Sequence, residues 1–560
     1  MKNKKQFCFV PIMAMLMMGC ESLTSKPHEE SSDGSNGSGK TFELSQMFDS
    51  SFQKDDPYTV ENMQKALDSL VNSKPQSALA KATIQSAKGQ IKPNFMYVRF
   101  LPKGRKQKDI LRHTGLVLWE YPLDYKEENR WKGWVDKTLP DSVQAFYTSV
   151  PIGYSFDEEI EYYIIKKLFI PQPIEAELDS IELAGGSLKK ATAESKYISL
   201  LTNLEQMGIT LSNLEIASRN LTGNLNKETQ SSSSNVLAKQ NTTTKAALWS
   251  RWRPKGTLKF RDTEKGDVPV EGVRVTAGYS YYWRSSKTDV NGYFVSPERW
   301  TYSVKYEAHW DTDDFLLEDG ESWYGADLYT EGPTTYSDWN RTFLDSHARA
   351  AIIFTAAYYY YYKNIDGLAR PRQNGWVTTT LDIEVYEHEK AGYAGVHSNV
   401  WFINYIEIRN VDPSGGYYSS KIIYGITLHE LAHSAHYETF NTRYPWMLRG
   451  EEFNISIQST VKESYAAFCE WYLINKRYPN SKRPFGYFTP YTSVFQDLVD
   501  TDTEIGTSGS YKDRFGGVTI GNVNWLISNS FYWSELRANA ASLNSNASVQ
   551  IMELFDWWNI

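Results

Sequence analysis

The chain has 560 residues, of which 41% are hydrophobic and 22% are charged, as in ordinary soluble globular proteins. A single core is too small for this length, so two to four domains are expected. The formal net charge of −8 is spread along the chain and leaves no basic patch. We therefore expect no nucleic-acid partner.

The N-terminus has the features of a targeting signal. Lysines at its start precede an apolar stretch at 7–18, which is shorter than the roughly 20 residues that cross a bilayer. The Gly-Cys ending resembles a bacterial lipoprotein signal, which implies a lipid on Cys20, although Met17 replaces the usual leucine. An ordinary secretory signal is the alternative. We predict a signal at 1–20, a flexible tether at 21–42, and export to the cell envelope with anchoring at the outer membrane; exposure at the cell surface stays open.

Only one cysteine remains for the folded part of the chain. Cys8 leaves with the signal and Cys20 takes the lipid, so Cys469 has no disulfide partner. Because Cys469 lies in an apolar run with helical spacing, we predict a buried, unreactive thiol.

The region after the tether has mixed helical and strand patterns. Residues 42–73 have helical spacing, and segments with alternating apolar residues predict strands at 95–102, 116–125 and 147–151. These segments resemble an N-terminal α+β module of Bacteroidetes lipoproteins, which implies a binding or spacer role and no catalytic chemistry. We assign the module to 43–230 and a Ser/Thr/Asn/Gln-rich linker to 231–253.

A compact β pattern follows the linker. Strand-like segments at 256–260 and 269–277 precede a segment at 287–294, in which Asn291-Gly292 predicts a hairpin turn with positive φ. The pattern resembles the carboxypeptidase-regulatory-like, transthyretin-like β-sandwich. The resemblance covers 254–312 and implies an accessory domain, to which we assign a spacer role.

The C-terminal region, 336–560, carries the candidate chemistry. Helices are predicted at 343–362, 422–440 and 461–470, and strands at 381–386 and 400–408. The stretch 394–408 is the candidate sheet edge for pairing with a substrate backbone.

Three of the nine histidines lie within eight residues: His429, His433 and His436. On a helix, His429 and His433 share one face and can reach one zinc ion. Glu430 then projects beside the metal, where it can take a proton from a water acidified by zinc. The HExxH pattern needs only three fixed residues, so alone it is a moderate signal for a zinc site.

A second predicted helix strengthens the zinc prediction. Glu463 and the residues after it resemble the E-G-x-A-x-[YF]-x-E pattern of gluzincin peptidases, which implies that Glu463 is the third zinc ligand. Ala466 is small enough for the two helices to approach. Ser464 replaces the usual glycine, and Ala467 stands where some gluzincins have an aspartate that orients a ligand histidine; Glu470 is a possible substitute.

Other ligand schemes fit less well. His436 would lie about 10 Å along the helix axis from His429, so a role beside the site, not as a ligand, is expected. A metzincin would need glycine and histidine where the chain has His436 and Thr439. Tyr511 and Tyr532 are candidates to stabilise the oxyanion, but neither is singled out among 38 tyrosines.

Together these features predict a multidomain chain: an α+β N-terminal module, a small β-sandwich and a mainly α (α+β) zincin-like metallopeptidase domain. The expected function is hydrolysis of extracellular protein or glycoprotein by a lipid-anchored peptidase, with Zn²⁺ as the cofactor and Glu430 as the general base. One alternative is a non-catalytic surface-binding lipoprotein for glycan or protein, with a structural or degenerate zinc site. The other is a zinc hydrolase that acts on a substrate other than peptide.

Overall fold

The computed structural model describes residues 40–41, 55–73, 91–103, 105–123, 145–171, 204, 207–224, 252–300, 303–321, 326–372, 380–390, 395–400, 403–440, 458–479, 492–500, 504–506, 509–511, 515–530 and 532–558. The predicted signal with Cys20, residues 21–39 of the tether and residues 231–251 of the linker lie outside them. The part from Lys40 onward forms one compact unit. Its helices and several largely antiparallel sheets agree with the predicted α+β class. No helix among the described residues is long and apolar enough to cross a membrane.

The described residues of the N-terminal part form a four-stranded sheet and three helices. Its elements are β1 (Lys40–Thr41), α1 (Val60–Asn72), β2 (Phe95–Leu101), α2 (Arg105–Arg112), β3 (Phe146–Pro151), β4 (Glu161–Leu168) and α3 (Leu211–Leu221). The strand order is β1-β4-β2-β3. Side chains on both faces of β2 are buried, as expected for a strand covered on two sides. The strands predicted at 95–102 and 147–151 are confirmed.

The strand predicted at 116–125 is wrong over its described residues, 116–123. Only Trp119 pairs with the sheet, through an isolated bridge to Tyr147. The Trp119 ring lies 4.7 Å from the ring of Trp283, which belongs to the next β region of the chain. Leu116 and Leu118 instead pack against the core of the N-terminal part. The alternation therefore reflects burial on two sides, which periodicity alone does not distinguish from a strand.

The next part contains two further sheets. Their strands are β5 (Lys255–Asp262), β6 (Gly266–Pro269), β7 (Arg274–Tyr279), β8 (Tyr282–Lys287), β9 (Tyr293–Val295), β10 (Val304–His309), β13 (Tyr329–Thr335) and β14 (Arg341–Phe343). One sheet has the order β14-β5-β6, with β9 also on β5, and the other has the order β13-β10-β7-β8. Phe294 of the first sheet contacts Tyr306 of the second, with ring centroids 5.9 Å apart. Strands β13 and β14 lie beyond residue 312, where the sequence resemblance to a β-sandwich ends, so these sheets continue past that residue.

The turn at Asn291-Gly292 does not close a hairpin. Gly292 has the predicted positive φ of 73°, but β8 pairs with β7 whereas β9 pairs with β5. A Cβ on Gly292 would lie 2.2 Å from the carbonyl oxygen of Leu258. The glycine is therefore needed both for its φ and for the close approach of β5, and the chain crosses from one sheet to the other here.

The C-terminal part places helices beside a mixed five-stranded sheet. Its strands are β11 (Phe315–Asp319), β12 (Ala326–Asp327), β15 (Leu381–Lys390), β16 (Gly395–Val400) and β17 (Ile403–Val411), in the order β12-β11-β15-β17-β16. The central strands are parallel, and the edge strands β12 and β16 are antiparallel to their neighbours. The stretch predicted as one edge at 394–408 is thus a hairpin, of which only β16 forms the edge.

The helices of this part follow the predicted pattern. They are α4 (Asp345–Tyr362), α5 (Ser420–Phe440), α6 (Gln458–Arg477), α7 (Val494–Asp497), α8 (Ile520–Ser528), α9 (Trp533–Leu543) and α10 (Ser548–Trp557); a short strand pair, β18 (Glu504–Gly506) and β19 (Gly509–Tyr511), lies between α7 and α8. Helices α4, α5 and α6 confirm the three predicted helices.

Candidate metal centre

Helix α5 carries the HExxH residues on a buried face. His429 and Glu430 are 7% exposed and His433 is 4% exposed. The spacing of four residues places both imidazoles on one side of the helix, and their ring centroids are 4.9 Å apart. The local sequence thus determines that these two rings face the same point in space.

Helix α6 brings a carboxylate to that point. Glu463 Oε2 lies 3.2 Å from His429 Nε2 and 3.2 Å from His433 Nε2. Among the described residues, these three side chains form a group that could hold a metal ion, with ligand atoms all within 4.8 Å of one another. A tetrahedral zinc at about 2.0–2.2 Å from each ligand separates its ligand atoms by about 3.3–3.6 Å. The two imidazoles and the carboxylate are donors that zinc accepts, and the two 3.2 Å separations are close to this range.

His429 is held from its other ring nitrogen. Glu470 Oε2 lies 3.3 Å from His429 Nδ1, the contact that fixes ring orientation and tautomer in many zinc sites. Gly425, one turn before His429, leaves room for this carboxylate, because a Cβ there would lie 2.6 Å from Glu470 Oε1. Glu470 therefore contacts a ligand histidine, which is the role considered for it in the sequence because Ala467 cannot provide the aspartate of some gluzincins.

His436 lies apart from this group. It is fully buried, and its ring centroid is 5.4 Å from that of Tyr465 on α6. The converging ligand atoms of the described residues come from His429, His433 and Glu463 and do not include His436. Ser464, in place of the usual glycine, accepts a hydrogen bond of 2.8 Å from the backbone N–H of Thr492.

Glu430 lies beneath the edge strand of the mixed sheet. A Cβ on Gly395, the first residue of β16, would be 2.8 Å from Glu430 Oε1. The absence of a side chain at Gly395 thus lets the strand backbone lie directly against the carboxylate. Gly395 and Gly425 were not singled out from the sequence, because a glycine in a strand or helix gives no local sign of the distant side chain packed against it.

Burial and neighbouring charges shift the pKa values of these groups in different directions. Burial raises the pKa of Glu430 to about 7, although the positive charge of His429 acts to lower it. Burial disfavours the charged form of His429, but hydrogen bonds to Glu463 and Glu470 outweigh it and raise its pKa to about 10. Burial lowers the pKa of His433 to about 4 in spite of Glu463. Burial opposes ionisation of Glu463, yet the two histidines hold its pKa well below the usual range.

Lys462 is a further charged residue at the site. Its positive charge lowers the pKa of Glu430 and that of His433. Sequence reasoning missed Lys462, although its position directly before Glu463 was a usable signal.

The structure gives little support for either tyrosine that was a candidate to stabilise the oxyanion. Tyr532 is 46% exposed just before α9, and Tyr511 ends β19, where its side chain is not described.

Cys469 is fully buried, as predicted, and burial raises the pKa of its thiol to about 12.

Comparisons with known proteins leave the family open. No model of a known protein family matches the chain, and no curated protein matches it. One solved structure that is weakly similar is an (S)-allantoin synthase, with 12% identity, 31% of this chain and 68% of that chain covered, and a TM-score of 0.12. A similarity of this size supports no statement about fold or activity.

Proposed function

We propose that the chain is a zinc-dependent metallopeptidase of gluzincin type, exported and anchored by a lipid on Cys20. The observation that carries the proposal is the convergence of His429, His433 and Glu463. Glu430 follows His429 in the chain and is near enough for the charges of His429 and Glu463 to shift its pKa. A purely structural zinc site has four protein ligands and needs no base. Among the described residues, the site has three ligands beside a buried carboxylate, which favours catalysis over the surface-binding alternative.

In this proposal each side chain has a separate task. His429, His433 and Glu463 would hold the ion, and Glu470 would keep the His429 ring in its binding orientation. Zinc, when bound, supplies the Lewis acidity that lowers the pKa of water and polarises a carbonyl group. Glu430 accepts the water proton at a carboxylate oxygen and delivers it to the leaving amine. Its burial excludes bulk water and, in the metal-free site, raises its pKa to about 7.

The edge strand supports peptide as the substrate. In the described residues β16 pairs with β17 on one side only, and Gly395 brings its backbone against Glu430. An extended peptide could pair with the other side of β16 and present a backbone carbonyl to the site. We accordingly prefer peptide bonds of extracellular protein or glycoprotein over another hydrolysable substrate.

The test uses purified residues 21–560. We expect one bound zinc per chain and hydrolysis of peptides from a broad library, and the change Glu430→Gln should abolish hydrolysis while zinc stays bound. Protein that folds in excess zinc yet contains none would contradict the metal centre. Bound zinc without cleavage of any peptide would favour the binding alternative, and cleavage of a non-peptide substrate would favour another zinc hydrolase.

A further inference from the structure

The β5–β6 turn, residues 262–265, contacts the start of helix α5. The N–H of Thr263 donates to Ser420 Oγ at 3.0 Å, and the N–H of Ser420 donates to Thr263 Oγ1 at 3.0 Å. Ser420 is the first residue of α5. The first N–H groups of a helix have no partner within the helix, so Thr263 caps the His429-bearing helix from a different part of the fold.

The same turn contacts the end of helix α6 through Asp262. This carboxylate is 1% exposed and accepts hydrogen bonds from Tyr478 Oη at 2.6 Å and Arg477 Nη2 at 3.1 Å. Its other oxygen accepts from the N–H groups of Glu264 and Lys265 at 2.9 and 3.2 Å. One buried carboxylate therefore shapes the turn and holds the C-terminal residue of the helix that carries Glu463 and Glu470.

Aromatic contacts connect the two helix ends beside the turn. The ring of Tyr424 on α5 lies 5.8 Å from that of Tyr478, and the Arg477 guanidinium lies 5.1 Å from the Tyr424 ring centroid. Ser420 is about 13 Å along the axis from His429, and Arg477 is about 21 Å from Glu463. A slip of either helix along its axis would be transmitted to the 3.2 Å separations between the ligand atoms.

We propose that Asp262 and Thr263 are positioning residues that fix the register of α5 against α6 and thereby the affinity of the metal centre. This inference rests on the proposed function. It gives the small β sheets a part in the metal site, in place of the spacer role that we assigned to this region from its sequence. Metal sites need ligand positions held within about 0.5 Å, and contacts at both helix ends supply such restraint.

The experiment compares Asp262→Asn and Thr263→Val with the conservative change Thr263→Ser in residues 21–560. The zinc dissociation constant is measured by competition with a chromophoric chelator, and the visible spectrum of the Co²⁺-substituted protein reports ligand geometry. Asp311→Asn is the matched control, because Asp311 forms a comparable pair with Arg274 of β7 at 2.8 Å. The unfolding free energy of each metal-free variant is measured in parallel.

We expect Asp262→Asn and Thr263→Val to weaken zinc binding about tenfold and to alter the Co²⁺ spectrum. Thr263→Ser keeps the hydroxyl and should behave as wild type, and Asp311→Asn should lower stability without changing zinc binding. Unchanged zinc affinity and Co²⁺ spectrum in both test variants would overturn the positioning role while leaving the peptidase proposal intact. Wild-type protein that binds no zinc would overturn the metal centre and this inference with it.

Discussion

The change Gly425→Ala tests how the metal centre is packed. Ordinary contacts with a Cβ begin at 3.4 Å, whereas the added Cβ would be 2.6 Å from Glu470 Oε1. The carboxylate must move by about 0.8 Å, the difference between these distances. Its contact with His429 Nδ1 is 3.3 Å long, so a movement of that size away from the ring would break the hydrogen bond.

The expected effects on helix stability and zinc binding have opposite signs. Gly425 lies within α5 at a φ that is not positive, and replacing glycine by alanine inside a helix stabilises it by about 1 kcal/mol. Loss of the contact to a ligand histidine weakens metal binding about 10- to 100-fold, or about 1.4–2.7 kcal/mol. Gly425→Ala should therefore reduce zinc affinity without a matching loss in stability of the metal-free protein.

A double-mutant cycle with Glu470→Ala supplies the assay. Zinc dissociation constants are measured by chelator competition for the wild type, both single variants and the double variant. In the Glu470→Ala background the added Cβ no longer approaches a carboxylate oxygen. Gly425→Ala should therefore weaken zinc binding little further in that background. Gly521→Ala is the control, because among the described residues its Cβ would meet only Thr519 Oγ1 at 4.0 Å. Additive effects of the two changes, or wild-type affinity in Gly425→Ala, would refute the reasoning.

Three further predictions concern the edge strand β16, the bound metal and the buried thiol. Gly395→Ala should retain zinc but lower kcat/KM at least about tenfold, because the added Cβ would lie 2.8 Å from Glu430 Oε1 and displace this carboxylate. A kcat/KM equal to that of the Gly521→Ala control would contradict this prediction. Removal of zinc by a chelator should lower the unfolding free energy by about 2.7 kcal/mol relative to protein with free zinc at 100 times its dissociation constant, measured by urea denaturation. Glu463→Ala should show no such zinc dependence, and a zinc effect of equal size in that variant would rule out Glu463 as a ligand. Cys469, the single cysteine of residues 21–560, should resist a thiol reagent at pH 8 until urea unfolds the chain, since it is buried and its pKa is raised to about 12; rapid labelling of native protein would show an accessible thiol.

Local periodicity was sufficient to predict much of the secondary structure. Helices α4, α5 and α6 and strands β2 and β3 are where apolar spacing placed them, because that spacing directly reflects the face a helix or strand buries. It failed at Trp119, where the buried face contacts Trp283 from a separate sheet, and at Gly292, where the turn joins two sheets. In both places the partner is distant in sequence, so the local pattern carries no information about it.

In the candidate site, too, some features follow from the local sequence and others depend on tertiary packing. The spacing of His429 and His433 by itself determined that two imidazoles share one helix face, since 3.6 residues per turn place i and i+4 together. Only the tertiary structure decided that Glu463 meets both nitrogens at 3.2 Å and that His436 lies apart from them. It also decided that Gly395 and Gly425 make room for Glu430 and Glu470. Those relations depend on how helices and strands pack, and packing is a property of pairs of elements that no single segment of sequence contains.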